Sequence, residues 1–254
     1  MKKYLVVYVV CFSSNCFSQS AILKQPKVIE QCQTKIEAAA ENIEIKRLKE
    51  QYYSTHKSAF ENRAATHVLL GWPMRVSSDY DFQYNYFNLQ KYVDQLVSLN
   101  HNIQDYNCSG RIYNGHRGID ASYFPFWPRM KDNNDVMAVA AAAGIILPGR
   151  ADIFFDRNCN PQAGSNNVTI LHDDGSTANY RHLKKHTVTL KEDNKRAEQA
   201  ESFRFVGSSG RSTNPHLHFG VHNANDEFVD PFFNFNQPTC NFLSSETRWQ
   251  NQCA

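Results

Sequence analysis

The chain has 254 residues, with 27 basic residues against 25 acidic ones. That length accommodates one substantial domain with appendages, and the near balance of charge excludes a protein drawn to nucleic acid by its net field. Seven cysteines are scattered without any Cys-x-x-Cys pair, which argues against a structural zinc knuckle.

The first twenty residues, MKKYLVVYVVCFSSNCFSQS, carry Lys2 and Lys3, an apolar run from Tyr4 to Phe12, and small residues at Ser18 and Ser20. This is the three-part pattern of a secretory signal, with cleavage expected after Ser20, and the run is too short to span a membrane. Neither Cys11 nor Cys16 follows a small residue, so no lipid anchor is expected. Losing Lys2 and Lys3 leaves 25 charges of each sign, and recognition should then be local. The remaining cysteines, Cys32, Cys108, Cys159, Cys240 and Cys253, read as disulfide partners in an oxidising compartment. Cys240 with Cys253 would close a C-terminal loop, and Cys108 with Cys159 would tie two loops together; spacing does not fix this connectivity.

Pro26 suits a first helical turn. After it Ile29, Cys32, Ile36, Ile43 and Leu48 recur mostly at three, four or seven residues, predicting one or two amphipathic helices over residues 26–63. Such a segment packs on its own domain, or serves as a removable pro-segment or a dimerising coil. From LGWPMRV onward the composition turns to aromatic and β-branched residues. Strands are expected in DVMAVAAAAGII, VTILH, TANYRHL, FRFVG and HLHFGVH, with Ala140–Ala143 read as part of a buried strand. Asp174-Gly175 between two such runs predicts a hairpin.

The chemistry gathers in three places. GHRGID sets His116 and Asp120 four apart, an even step that puts both on one side of an extended segment. NPHLHFGVH sets His216 and His218 on one side of a strand, opposite Leu217 and Phe219. Two adjacent imidazoles are costly if both are protonated, and useful if one binds a metal while the other handles a proton. Two imidazoles and one carboxylate form a ligand set suited to zinc, with a fourth position kept for water.

GHRGID, then YRHL at Tyr180–Leu183, then GSSGRSTNPHLHFG at Gly207–Gly220, resembles the lysostaphin-type (LytM-type) zinc metallo-endopeptidases over residues 110–235. The resemblance implies a mainly β (β-rich α+β) fold: an antiparallel-sheet catalytic domain with a helical N-terminal segment. It implies one Zn2+ per chain held by His116, Asp120 and His218, with His182 and His216 as the two non-ligand histidines that serve the reaction. The implied substrate is peptidoglycan, cut at a peptide bond in its stem or cross-bridge, with no nucleic-acid partner and no membrane anchor once the signal is removed.

The expected division is a signal peptide at 1–20, a helical segment at 21–64, a zinc peptidase domain at 65–236 and a tail at 237–254 closed by a disulfide. The protein is expected to be secreted, to the periplasm or beyond the cell. Three segments depart from the family pattern: SYFPFWPRMKDNND, ADIFFDRNCNPQAGSNN and KEDNKRAEQAES. They are expected to wall the groove, with Tyr123, Phe124, Phe126 and Trp127 either touching substrate or packing in the core. Tyr180 reads as an ordinary strand aromatic, and Arg117 and Arg211 as candidates for holding a substrate carboxylate. The competing readings are a broader secreted protease acting on glycine-rich proteins, a non-catalytic activator of a wall amidase, and a wall-binding module with a structural metal. The filled ligand positions speak against the activator, and three ligands instead of four against the structural metal.

Overall fold

The computed structural model describes residues 35–64, 66–77, 85–95, 103–149, 151–156, 164–187, 191–232 and 249. The expected signal peptide, the start of the helical segment, the pairings through Cys32, Cys159, Cys240 and Cys253, and the tail apart from Trp249 lie outside the described residues. All described residues belong to one compact unit, 31–254.

The first described element is helix α1, Lys35–Thr55, a 21-residue stretch rich in Ala, Glu, Lys and Ile and without Gly or Pro. A short helix α2, Lys57–Glu61, follows. The buried side chains of α1 are Ala38, Ile45, Leu48, Lys49 and Tyr52, recurring at seven, three and four residues along one face. Ile43, expected on that stripe, is 70% exposed. Lying two residues from Ile45, it points about 200° round the helix, toward solvent. Among the described residues, no helix is long and apolar enough to cross a membrane.

Eleven strands are described: β1 Met74–Val76, β2 Phe87–Lys91, β3 Ile119–Tyr123, β4 Val136–Val139, β5 Gly144–Ile146, β6 Asn167–His172, β7 Thr177–Arg181, β8 Arg196–Ala197, β9 Ser202–Phe205, β10 His216–His222 and β11 Phe228–Val229, with helix α3, Trp127–Asn133, after β3. The larger sheet runs β2-β3-β10-β7-β6-β5-β8, with β11 also on β10, and the smaller runs β1-β4-β9. Every strand pair is antiparallel. The expected β-rich fold with a helical lead-in is what the chain forms. The predicted hairpin joins β6 to β7, with Gly175 at φ +83° in its turn.

Three expectations need correction. Ala140–Ala143 is not strand: β4 ends at Val139, and the alanines form a buried crossing that carries the chain from the smaller sheet to β5 in the larger. Small side chains let that backbone pass close to the core, where the Tyr180 hydroxyl accepts the Ala141 N–H at 2.7 Å. KEDNKRAEQAES does not wall a groove; it supplies β8, at the sheet edge four strands from β10. SYFPFWPRMKDNND is not one loop either, because it completes β3 and then forms α3. Tyr123 packs in the core, its hydroxyl donating to the Val206 carbonyl, while Phe124, Phe126 and Trp127 are exposed.

The main core includes Met74, Val136, Ala138 and Phe203 from the smaller sheet and Ile119, Ala121, Val168, Ile170, Tyr180, Leu217, Phe219 and Val221 from the larger. Leu217 and Phe219 alternate with His216 and His218, so β10 gives one face to this core and the other to chemistry. Each apolar side chain fully buried there contributes about 1.5–3 kcal/mol. A second cluster lies under α1, where Leu48 and Tyr52 meet Leu147 and Leu171. The N-terminal helix thus packs on its own domain.

Candidate active site

Pairing register sets the site. His218 lies opposite Asp120 of β3 on one side and opposite Arg181 of β7 on the other, and His216 lies opposite Ser122. Directly opposed residues share a face, so Asp120, His216, His218 and Arg181 all project from the face turned away from the main core.

His116 arrives differently from the extended geometry expected of GHRGID. It lies in a turn before β3, with Gly115 at φ +83°. Asp94 clamps this turn: its carboxylate accepts the Gly115 N–H at 2.8 Å, and its own N–H donates to the His116 carbonyl at 2.8 Å. The His116 ring donates from Nδ1 to the Tyr92 carbonyl at 2.6 Å, which leaves the Nε2 lone pair facing inward. Nε2 then lies 3.2 Å from Asp120 Oδ1 and 3.2 Å from His218 Nδ1, and the last two atoms are 2.9 Å apart. All three residues are buried.

Three acceptor atoms this close repel one another unless a proton or a cation lies among them. Ligands about 2.1 Å from a tetrahedral ion stand about 3.4 Å apart, a spacing this trio meets with small adjustment. Among the described residues, His116, Asp120 and His218 are the group able to hold a metal ion. Their nitrogen and oxygen donors suit zinc, and the Tyr92 carbonyl fixes the tautomer and orientation of His116. Gly118 makes room for the third member: a Cβ there would stand 2.7 Å from His218 Cε1 and Nε2 and 2.8 Å from the Phe219 carbonyl oxygen.

His182 and His216 flank the trio with ring centroids 4.6 Å apart, and His182 is 6.0 Å from His218. Each donates from Nδ1 to a backbone carbonyl, His182 to Ser209 at 2.7 Å and His216 to Asn214 at 2.8 Å. Both rings therefore keep an unprotonated Nε2, and that of His216 lies 3.6 Å from Asp120 Oδ1. His182 itself has a left-handed backbone, φ +62°, just beyond the end of β7, with its N–H held by the Ser165 hydroxyl at 2.8 Å.

Burial pushes His182 well below the usual imidazole range, and His216, Arg181 and His218 add to this. Burial also lowers His218, against the pull of Asp120. For Asp120, burial acts upward, but His116, His216 and His218 outweigh it and hold the carboxyl well below its usual range. The carboxylate of Asp120 and the neutral ring of His218 are the forms that bind a divalent cation, and the neutral ring of His182 is the form that accepts a proton.

Other residues read from the sequence fall elsewhere. Tyr180 is a core residue. Arg117 donates to the Asp94 carbonyl at 3.2 Å and lies over Phe228, bracing the GHRG turn. Arg211 is half-buried in the loop before β10. Asp94, Ser165 and the Tyr92, Ser209 and Asn214 carbonyls escaped the sequence reading. Only Asn214, inside NPHLH, carries a local signal; the others are brought in by long-range pairing.

Residues 115–231 match the model of peptidase family M23. The match covers 117 of the 254 residues, and over that segment the chain is similar to this family. Its bounds contain His116, Asp120, His182, His216 and His218. Solved structures similar to the chain include Helicobacter pylori Csd3 (16% identity, 67% of this chain and 36% of that one, TM-score 0.39), the SpoIIQ–SpoIIIAH pore forming complex (17%, 66% and 90%, 0.43) and the catalytic domain of the antimicrobial peptidase lysostaphin from Staphylococcus simulans (18%, 56% and 86%, 0.34). The chain thus spans about a third of the Helicobacter pylori protein. None of the curated proteins compared with the chain matches it. Outside the matched residues lie α1, α2, β1 and β2, and the segment after β2 that carries the Tyr92 and Asp94 braces.

Proposed function

We propose that the protein is a secreted zinc metallo-endopeptidase that hydrolyses peptide bonds in peptidoglycan stem peptides or cross-bridges. The observation that carries this reading is the meeting of His116 Nε2, Asp120 Oδ1 and His218 Nδ1 within 3.2 Å, beside two imidazoles whose Nδ1 protons are tied to carbonyls. In this reading His116, Asp120 and His218 hold the metal, one per chain. A zinc ion bound there supplies a Lewis acid that polarises the scissile carbonyl and acidifies the attacking water.

The chain's own residues do the rest. The Nε2 atoms of His182 and His216 are placed to take the proton of the attacking water and return one to the departing amine. The imidazole not engaged in proton transfer can donate to the oxygen on which negative charge develops. The Ser209 and Asn214 carbonyls hold both rings in the tautomer this requires. Burial keeps His182 neutral before reaction, as a general base must be. Export is supported by the signal-like first twenty residues, with cleavage after Ser20.

The test is mass spectrometry of products released from purified cell walls by the zinc-loaded protein. New peptide amino termini from stems or cross-bridges are expected. Released sugars, or walls left intact by a protein that does bind zinc, would refute the endopeptidase reading and favour a wall-binding or activating role.

A further inference from the structure

The face of the larger sheet that bears His218 is covered by α1. Glu41 of that helix reaches down between strands, and its two carboxylate oxygens accept hydrogen bonds from Asn179 Nδ2 and Arg181 Nη1. Arg181 is the cross-strand partner of His218, and Asn179 is the partner of Gly220, so this carboxylate lies immediately beside the metal-binding trio. Glu41 remains ionised there: burial acts upward, but Arg181, His218, His222 and the Asn179 bond together hold it below the usual range.

The rest of the contact is poorly matched. Beneath α1 the buried atoms Thr177 Oγ1, Asn179 Oδ1 and Arg181 Nε, with both ring nitrogens of His222, have no hydrogen-bond partner among the described residues. All four side chains belong to one face, since Thr177 lies opposite His222 just as Arg181 lies opposite His218. On the helix side Asn42 Oδ1 is also unbonded. Buried polar groups are nearly always satisfied, and each left unsatisfied weakens the fold. A face furnished with donors and acceptors that its covering helix does not use is shaped for another ligand.

We propose that Asn179 and Arg181 form a carboxylate-binding subsite of the substrate groove, filled here by Glu41 of α1. The ligand class is a peptide with a free carboxylate close to the bond to be cut, and its binding requires α1 to lift. The proposal rests on the peptidase reading above and assigns that site its substrate chemistry. Arg117 and Arg211 are the candidates the sequence offers for a substrate carboxylate; the Glu41 contact points to Arg181 as well.

Hydrogen exchange of the α1 amides in the full-length protein tests this. The probes are cross-linked peptide dimers purified from cell walls, used as isolated or after amidation of their carboxyls. The native dimers should raise exchange across residues 38–45 by about tenfold or more, the scale of one charge-assisted hydrogen bond, and the amidated dimers should not. Arg181→Gln should abolish the difference and Arg181→Lys restore part of it. Glu41→Gln should raise exchange before any peptide is added. Should Arg181→Gln fail to fold, Asn179→Asp serves instead: a second carboxylate there should repel the native dimers alone. An equal response to both probes, no response to either, or a difference that persists without Arg181 overturns the subsite. Exchange reports binding and not hydrolysis. Cleavage without selective release of α1 sinks the subsite alone, and selective release without cleavage sinks the peptidase reading alone.

Discussion

Gly118→Ala tests whether close packing at the GHRG turn maintains the metal-binding geometry. The added Cβ would stand 2.7 Å from His218 Cε1 and Nε2 and 2.8 Å from the Phe219 oxygen, where ordinary contact begins at 3.4 Å. About 0.6–0.7 Å must therefore be recovered. The Phe219 carbonyl is in the backbone of β10, between β3 and β7, and cannot easily yield. The His218 ring is the softer neighbour and should rotate or shift, taking Nδ1 away from Asp120 and His116. Overpacking of this kind destabilises by about 1–3 kcal/mol, and disturbing a ligand's support lowers metal affinity about 10–100-fold. Gly118 has no left-handed backbone, so the variant isolates the steric effect. Gly110→Ala is the control, because nothing lies within 4 Å of a Cβ there. Competitive zinc titration against a fluorescent chelator, with urea unfolding in parallel, reads both quantities. Wild-type zinc affinity in a folded Gly118→Ala protein would refute the assignment of His218 as a ligand held by this packing.

Three further outcomes are expected. His182→Ala and His216→Ala should each retain one zinc per chain, by elemental analysis, while turnover falls about 10²–10⁴-fold; loss of metal in either would move that residue into the ligand set. Lys49→Met should lower stability by about 3–5 kcal/mol in urea unfolding, because the Lys49 ammonium is buried on the Gly175 and Ala224 carbonyls and on Asp226, and removing it strands the Asp226 charge. His222, pushed down to about 4 by burial, should make stability fall as pH drops. The sign follows from proton uptake: an unfolded histidine binds a proton near pH 6.5, whereas the folded one resists until about 4, so its contribution is complete above 6.5 and lost on descending through that window. The amount at stake is about 3 kcal/mol, and unfolding curves of His222→Leu between pH 7 and 4 should be flatter than those of the wild type.

Residues that act through local spacing were legible. HLHFGVH alternates because only one face of that strand meets the apolar core, and Asp174-Gly175 marks the β6–β7 hairpin because a tight turn needs that backbone. Residues that act through register were not. Nothing in YRHL distinguishes Arg181 as the cross-strand partner of His218, and nothing near Asp94 announces that it clamps a turn twenty residues later. Ile43 and the alanine run misled for a related reason: composition reports that a residue is apolar or small, whereas helix phase and the crossing between sheets decide where it points.

The left-handed backbone at His182 carries a consequence for anyone seeking a hardier protein. A non-glycine residue held at φ +62° stores about 1–2 kcal/mol of strain that glycine would release. A gain in heat resistance at this turn therefore coincides with loss of a ring proposed to carry a proton. Selection for thermal endurance alone should drift toward a sturdier, inert molecule, and persistence of histidine at this position would register continuing demand for the reaction.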